Sequence, residues 1–186
     1  WYHRQLWEAA NTRFSADQRV YYHCIMGKYF GDLVDADERS KMKISRQHLL
    51  LRPGQNVWTV HDNALINHRR CAEAGYNLLH GKCLVQAARE LCDLASICAT
   101  SMVGRGYDHV RCLADLDRQM QSAELGAESH YKIKVAHYLR WLGQSMSRIV
   151  LDPPFQIYFT IADQPETSVA RLDMESLCKR IKGVSM

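Results

Sequence analysis

The chain has 186 residues, 47% hydrophobic and 24% charged, and its 24 basic and 20 acidic side chains leave a net charge of +4. Those are ordinary values for a packed globular chain and exclude a disordered one. No apolar run approaches the roughly 18–20 residues that span a bilayer, so no membrane insertion is expected. The mild basic excess lacks the concentrated stripe of a dedicated nucleic-acid binder.

In chain order, Trp1, Leu6, Trp7 and Ala10 mark a short amphipathic opening helix. Ser15 and Gln18 have capping-box spacing, which predicts a helix over residues 16–30. Gly31-Asp32 punctuates it, a second helix follows towards Leu51, and Pro53-Gly54 stops that one. The next helix is expected over residues 57–74, with Gly75 at its end. A long helix is expected over residues 76–102, closed by Gly104 and Gly106. Val110, Leu113 and Met120 stripe another, ended by Gly126. Over residues 127–149, Tyr131, Val135, Tyr138, Leu142 and Ile149 recur at three- and four-residue steps, the clearest amphipathic pattern in the chain.

Pro153-Pro154 then breaks the helical pattern. Phe155, Ile157 and Phe159 alternate with Gln156, Tyr158 and Thr160, which predicts a short extended segment. A lone strand must pair or lie in a groove to satisfy its backbone. A final helix carries Ala170, Met174, Leu177, Cys178 and Ile181 on one face, with Lys179, Arg180 and Lys182 in its last turn. The expected fold is one all-α domain of stacked helical hairpins, an α-solenoid. The hairpins fall at about 16–51, 57–103 and 107–150, followed by the extended segment and helix of 151–186.

Motifs for chemistry are missing from the sequence. It holds no G-x-S-x-G, no H-E-x-x-H, no phosphate-cradling glycine loop and no dinucleotide fingerprint. His61 and His68 are seven apart, as are His130 and His137, and that spacing separates two imidazoles by about 10 Å along a helix. Structural histidines, with no metal and no cofactor, are the expectation. Seven cysteines, an odd number without C-x-x-C spacing, favour reduced thiols. The first residue is Trp1, which predicts a segment upstream; an organellar transit peptide is one candidate and a proteolytic cut another.

The most informative pattern is a recurring hairpin. Tyr22-His23-Cys24-Ile25-Met26 opens one unit, Asp62-Asn63-Ala64-Leu65-Ile66 a second, and Tyr107-Asp108-His109-Val110 a third. With Gly31, Asp35, Ala36 and Met42, the first unit resembles a pentatricopeptide (PPR) repeat. Tyr76-Asn77-Leu78-Leu79, followed by Ala88, Glu90 and Leu91, is also PPR-like, in a register that competes with the second unit. The spacings exceed the usual repeat length, and His23 and Asp108 stand where a base-reading repeat carries a small polar residue.

The whole pattern is similar to the small PPR-like subunits bound outside the catalytic head of euglenozoan mitochondrial ATP synthases. That resemblance implies a non-catalytic accessory subunit on the matrix side of mitochondria, acting as a protein-binding scaffold. Its expected partner-binding residues are Trp1 and Trp7, near a free end, and Phe155, Tyr158 and Phe159, which either dock into a neighbour or fold back onto the chain's own core. The alternative is an organellar RNA-binding repeat protein or mitoribosome component. A small enzyme using Cys or His would require a thiol of depressed pKa beside a histidine.

Overall fold

The computed structural model describes residues 12–31, 66 and 68–184, and every regular element among them is a helix. Helix α1 (Ala16–Phe30) starts where the capping box places it. The Ser15 hydroxyl accepts from the Gln18 amide at 3.2 Å, and Gln18 Oε1 accepts from the Ser15 amide at 2.9 Å. Its expected hairpin partner, and the expected start of the following helix, lie outside the described residues.

The single helix expected over residues 76–102 is corrected to parts of three: α2 (His68–His80), α3 (Leu84–Leu91) and α4 (Leu94–Met102). The first break is a Schellman turn. The amides of Cys83 and Lys82 return to the carbonyls of Leu78 and Leu79, and Lys82 takes the left-handed position at φ 59°. Glycine usually marks that position, and here a lysine fills it. Gly75, expected as a cap, sits inside α2 where an added Cβ would lie 2.6 Å from Leu91 Cδ2. At the second break the Asp93 carboxylate accepts from the Ser96 amide at 2.9 Å and starts α4. Gly104, at φ +77°, closes α4 by the same turn made with glycine.

Helix α5 (Gly106–Ser122) leads through a 3-10 turn (Gly126–Ser129) to α6 (His130–Ile149), then α7 (Pro153–Ala162) and α8 (Val169–Val184). The extended segment expected over residues 155–160 is therefore corrected to a helix. Pro153 and Pro154 are its first two residues, where a fixed φ suits the turn and no amide is needed. Ile157, Thr160 and Ile161 recur at three and four residues and are buried. Large apolar residues on both sides of a ten-residue helix imitate a period of two.

Helix α2 packs against α1, α3, α4 and α5; α6 packs against α3, α5, α7 and α8; and α7 also reaches α4. The shared core runs through Leu78, Ile97, Leu113, Leu116, Trp141 and Ile161. Helix α4 is buried on nearly every side, which its run of small and apolar residues permits. No helix among the described residues is long and apolar enough to cross a membrane.

Helix α1 meets α2 through glycine. A Cβ on Gly27 would fall 2.6 Å from the Leu78 backbone nitrogen, and one on Gly81 would fall 2.4 Å from that of Cys24. Gly27→Ala is expected to destabilise the fold by roughly 1–3 kcal/mol, since backbone cannot move aside as a side chain can. Gly143→Ala, in α6 with nothing within 4 Å of the new methyl, is expected to stabilise by about 0.5–1 kcal/mol. Urea unfolding of the two variants checks both, and equal midpoints would contradict the close backbone approach.

Candidate functional site

Two features stand out, an aromatic face on α7 and a cleft between α2, α4 and α5 that holds several charged side chains. The first follows from how α7 is seated. The Trp141 indole donates to Thr160 Oγ1 at 3.3 Å, and Thr160 in turn donates to the Gln156 carbonyl at 2.7 Å, so the Ile157–Thr160–Ile161 side faces α6. The opposite side carries Phe155, Tyr158 and Phe159, which are 60%, 57% and 48% exposed. Their rings touch one another, with centroids 5.0 Å apart for Phe155–Phe159 and 5.7 Å for Tyr158–Phe159. Leu151, just before the helix, is also exposed. Trp1 and Trp7, the other residues expected at a contact face, lie outside the described residues.

Sequence reading grouped the three α7 aromatics but gave them a strand's geometry. On a strand Phe155 and Phe159 would share a face and Tyr158 would oppose them. The helix puts positions i, i+3 and i+4 together and makes one continuous apolar surface. Contiguous exposed apolar surface of this kind marks an interaction site more often than a lone exposed side chain does.

The cleft encloses about 360 Å³. The Arg70 guanidinium grips Glu90 through Nη2–Oε2 at 2.9 Å and Nε–Oε1 at 3.3 Å, and Ser96 Oγ donates to the same carboxylate at 2.8 Å. Arg105 and Arg111 both approach Asp108 at the rim. His109 is buried, and its Nε2 lies 2.8 Å from the Leu91 carbonyl. Only a protonated nitrogen can bond to that oxygen, so Nε2 donates. Burial holds the imidazole below its ordinary pKa, and the ring is therefore neutral, with Nδ1 unprotonated.

Two thiols, Cys71 and Cys112, line the same cleft as His80 and His109, and burial pushes both thiols up. The arrangement supplies charge pairs already closed on themselves, with no thiolate beside a base. Sequence reading missed this cleft. Arg70 and Glu90 are 20 residues apart and His109 and Leu91 are 18 apart, separations that carry no local periodicity. Asp93 followed three residues later by Ser96 was the one legible signal, as a helix cap.

No known protein family, curated protein or solved structure matches this chain.

The buried neutral imidazole makes stability depend on pH. Below the ordinary histidine value of about 6.5 the unfolded chain takes up a proton that folded His109 resists, so stability falls as pH drops through that value. His80 is lowered too, first by burial and then by His23, and acts in the same direction. The urea midpoint is expected to fall between about pH 7 and pH 5. In His109→Gln, which keeps a donor for Leu91, that slope is expected to be shallower; an unchanged slope would refute the assignment.

Proposed function

We propose that this chain is a non-catalytic accessory subunit that docks onto a larger protein assembly through the aromatic face of α7. The observation that carries this reading is the exposure of Phe155, Tyr158 and Phe159 on a helix whose other side is anchored in the core. Aromatic side chains held by a rigid element give a partner large contact area at small ordering cost. The assembly indicated by the PPR-like resemblance is the catalytic head of mitochondrial ATP synthase, on the matrix side. In this reading the helical hairpins are degenerate repeats, and the packed pair α5–α6 is the unit expected over residues 107–150.

Two further observations favour a scaffold. Two of the buried thiols are poorly suited to nucleophilic work: burial pushes Cys92 up to about 12 and Cys98 to about 11. Cations are drawn into pairs with carboxylates, as in Arg89–Glu128, Arg118–Asp115, Lys134–Asp173 and Arg171–Glu175. That interleaving suits a protein contact better than a phosphate backbone, which calls for unopposed positive charge.

Native purification from the source, with mass spectrometry of the co-migrating proteins, tests the partner. Nucleotide-binding α- and β-type subunits are expected to co-migrate, and their absence would overturn the ATP synthase assignment. Phe155→Ser and Phe159→Ser are each expected to weaken that association about tenfold or more. Fold stability should change by less than about 0.5 kcal/mol, because both side chains face outward. Undiminished association in both variants would remove α7 from the interface. Single-stranded RNA binding that weakens steeply with salt and ignores these substitutions would replace the docking reading with the RNA-binding one.

A further inference from the structure

We propose that Cys24 and Cys83 form a redox-active pair, closing into a disulfide by exchange with a low-molecular-weight disulfide and so locking α1 onto the turn between α2 and α3. Their sulfurs are 2.9 Å apart, inside the distance at which two non-bonded sulfurs normally rest. Among the described residues no other two thiols are in such contact. A disulfide bond is about 2.05 Å long, so closure requires a movement of less than about 1 Å.

The backbone brings the pair together. Gly27, one turn after Cys24 on α1, faces the Leu78 backbone, and Gly81, two residues before Cys83, faces the backbone of Cys24 itself. Neither position has room for a Cβ, so the two segments approach as closely as main chains can. Cys24 and Cys83 flank that contact, and their separation follows from the helix crossing. Both thiols are half-buried, within reach of a small reagent.

The exchange balances without any other reactant. One cysteine of the pair loses its proton and attacks one sulfur of the small disulfide, whose S–S bond breaks, and the departing thiolate takes up that proton. The second cysteine's sulfur then attacks the first in the mixed disulfide, breaks that bond and expels the second small thiol, which takes up the proton the second cysteine gives up. The protein dithiol is oxidised by two electrons and the small disulfide is reduced to two thiols. Burial, together with the neighbouring Cys24, pushes the Cys83 thiol up. Lys28, one turn beyond Cys24, favours the Cys83 thiolate as it forms.

A bond between residues 59 apart closes a long loop and restrains α1, which in the described structure packs principally on α2. The test uses the purified chain equilibrated with oxidised and reduced glutathione, then alkylated and mapped under non-reducing conditions. The expected product is a peptide joining Cys24 to Cys83, lighter than its parts by two hydrogen atoms. Cys24→Ser and Cys83→Ser are each expected to lose it. Amide exchange in α1 is expected to slow by about tenfold or more in the oxidised chain. Glutathione adducts without a cross-link, or a cross-link through Cys71, Cys112 or Cys178 instead, would overturn the pairing. A Cys24–Cys83 bond that leaves α1 exchange unchanged would overturn the lock.

Discussion

Tyr138 and Trp141 stand three residues apart on the buried face of α6, and each carries a donor that burial would otherwise leave without an acceptor. Tyr138 donates to Asp173 of α8 at 2.6 Å, and Trp141 donates to Thr160 of α7 at 3.3 Å. Lys134, one turn earlier on α6, closes on the same Asp173 carboxylate at 2.7 Å. Burial, then the bond to Asp173, holds the Tyr138 hydroxyl far above its usual pKa and keeps it a donor. A buried donor left without an acceptor costs about 1–3 kcal/mol. Apolar burial has little directionality, so these bonds add direction to the apolar packing that seats α7 and α8 on α6.

That seating decides the surface of the molecule. Helix α7 is apolar on two sides, with Ile157 and Ile161 on one and Phe155, Tyr158 and Phe159 on the other, and the described residues bury the first of them. The Trp141–Thr160 bond lies on the isoleucine side. The aromatic side is thereby turned outward on an element held from beneath.

Local signals in the sequence were legible and distant ones were not. The α1 start could be read because Ser15 and Gln18 are three residues apart, and α6 because its stripe persists for five turns. The break at residues 81–83 could not, because Lys82 holds the left-handed position that glycine advertises elsewhere, as Gly104 does. Helix α7 was mistaken for a strand because Pro-Pro reads as a stop, although proline is equally at home in a first helical turn. The aromatic residues expected at a contact face were therefore given a strand's geometry where the structure has a helix. The cleft, the Gly27–Gly81 crossing and the Cys24–Cys83 contact all join segments 18 or more residues apart, where periodicity says nothing.

The interior chemistry bears on what kind of surface this is. In the cleft between α2, α4 and α5 the charged groups are paired with near neighbours. Glu90 is shared by Arg70 and Ser96, His109 is spent on Leu91, and Asp108 is bracketed by Arg105 and Arg111. The Glu90 and His109 bonds tie one helix to another, so they act as a brace. A braced body loses little conformational freedom when a partner covers its exposed aromatic face, and less of the contact energy is then consumed in ordering that face.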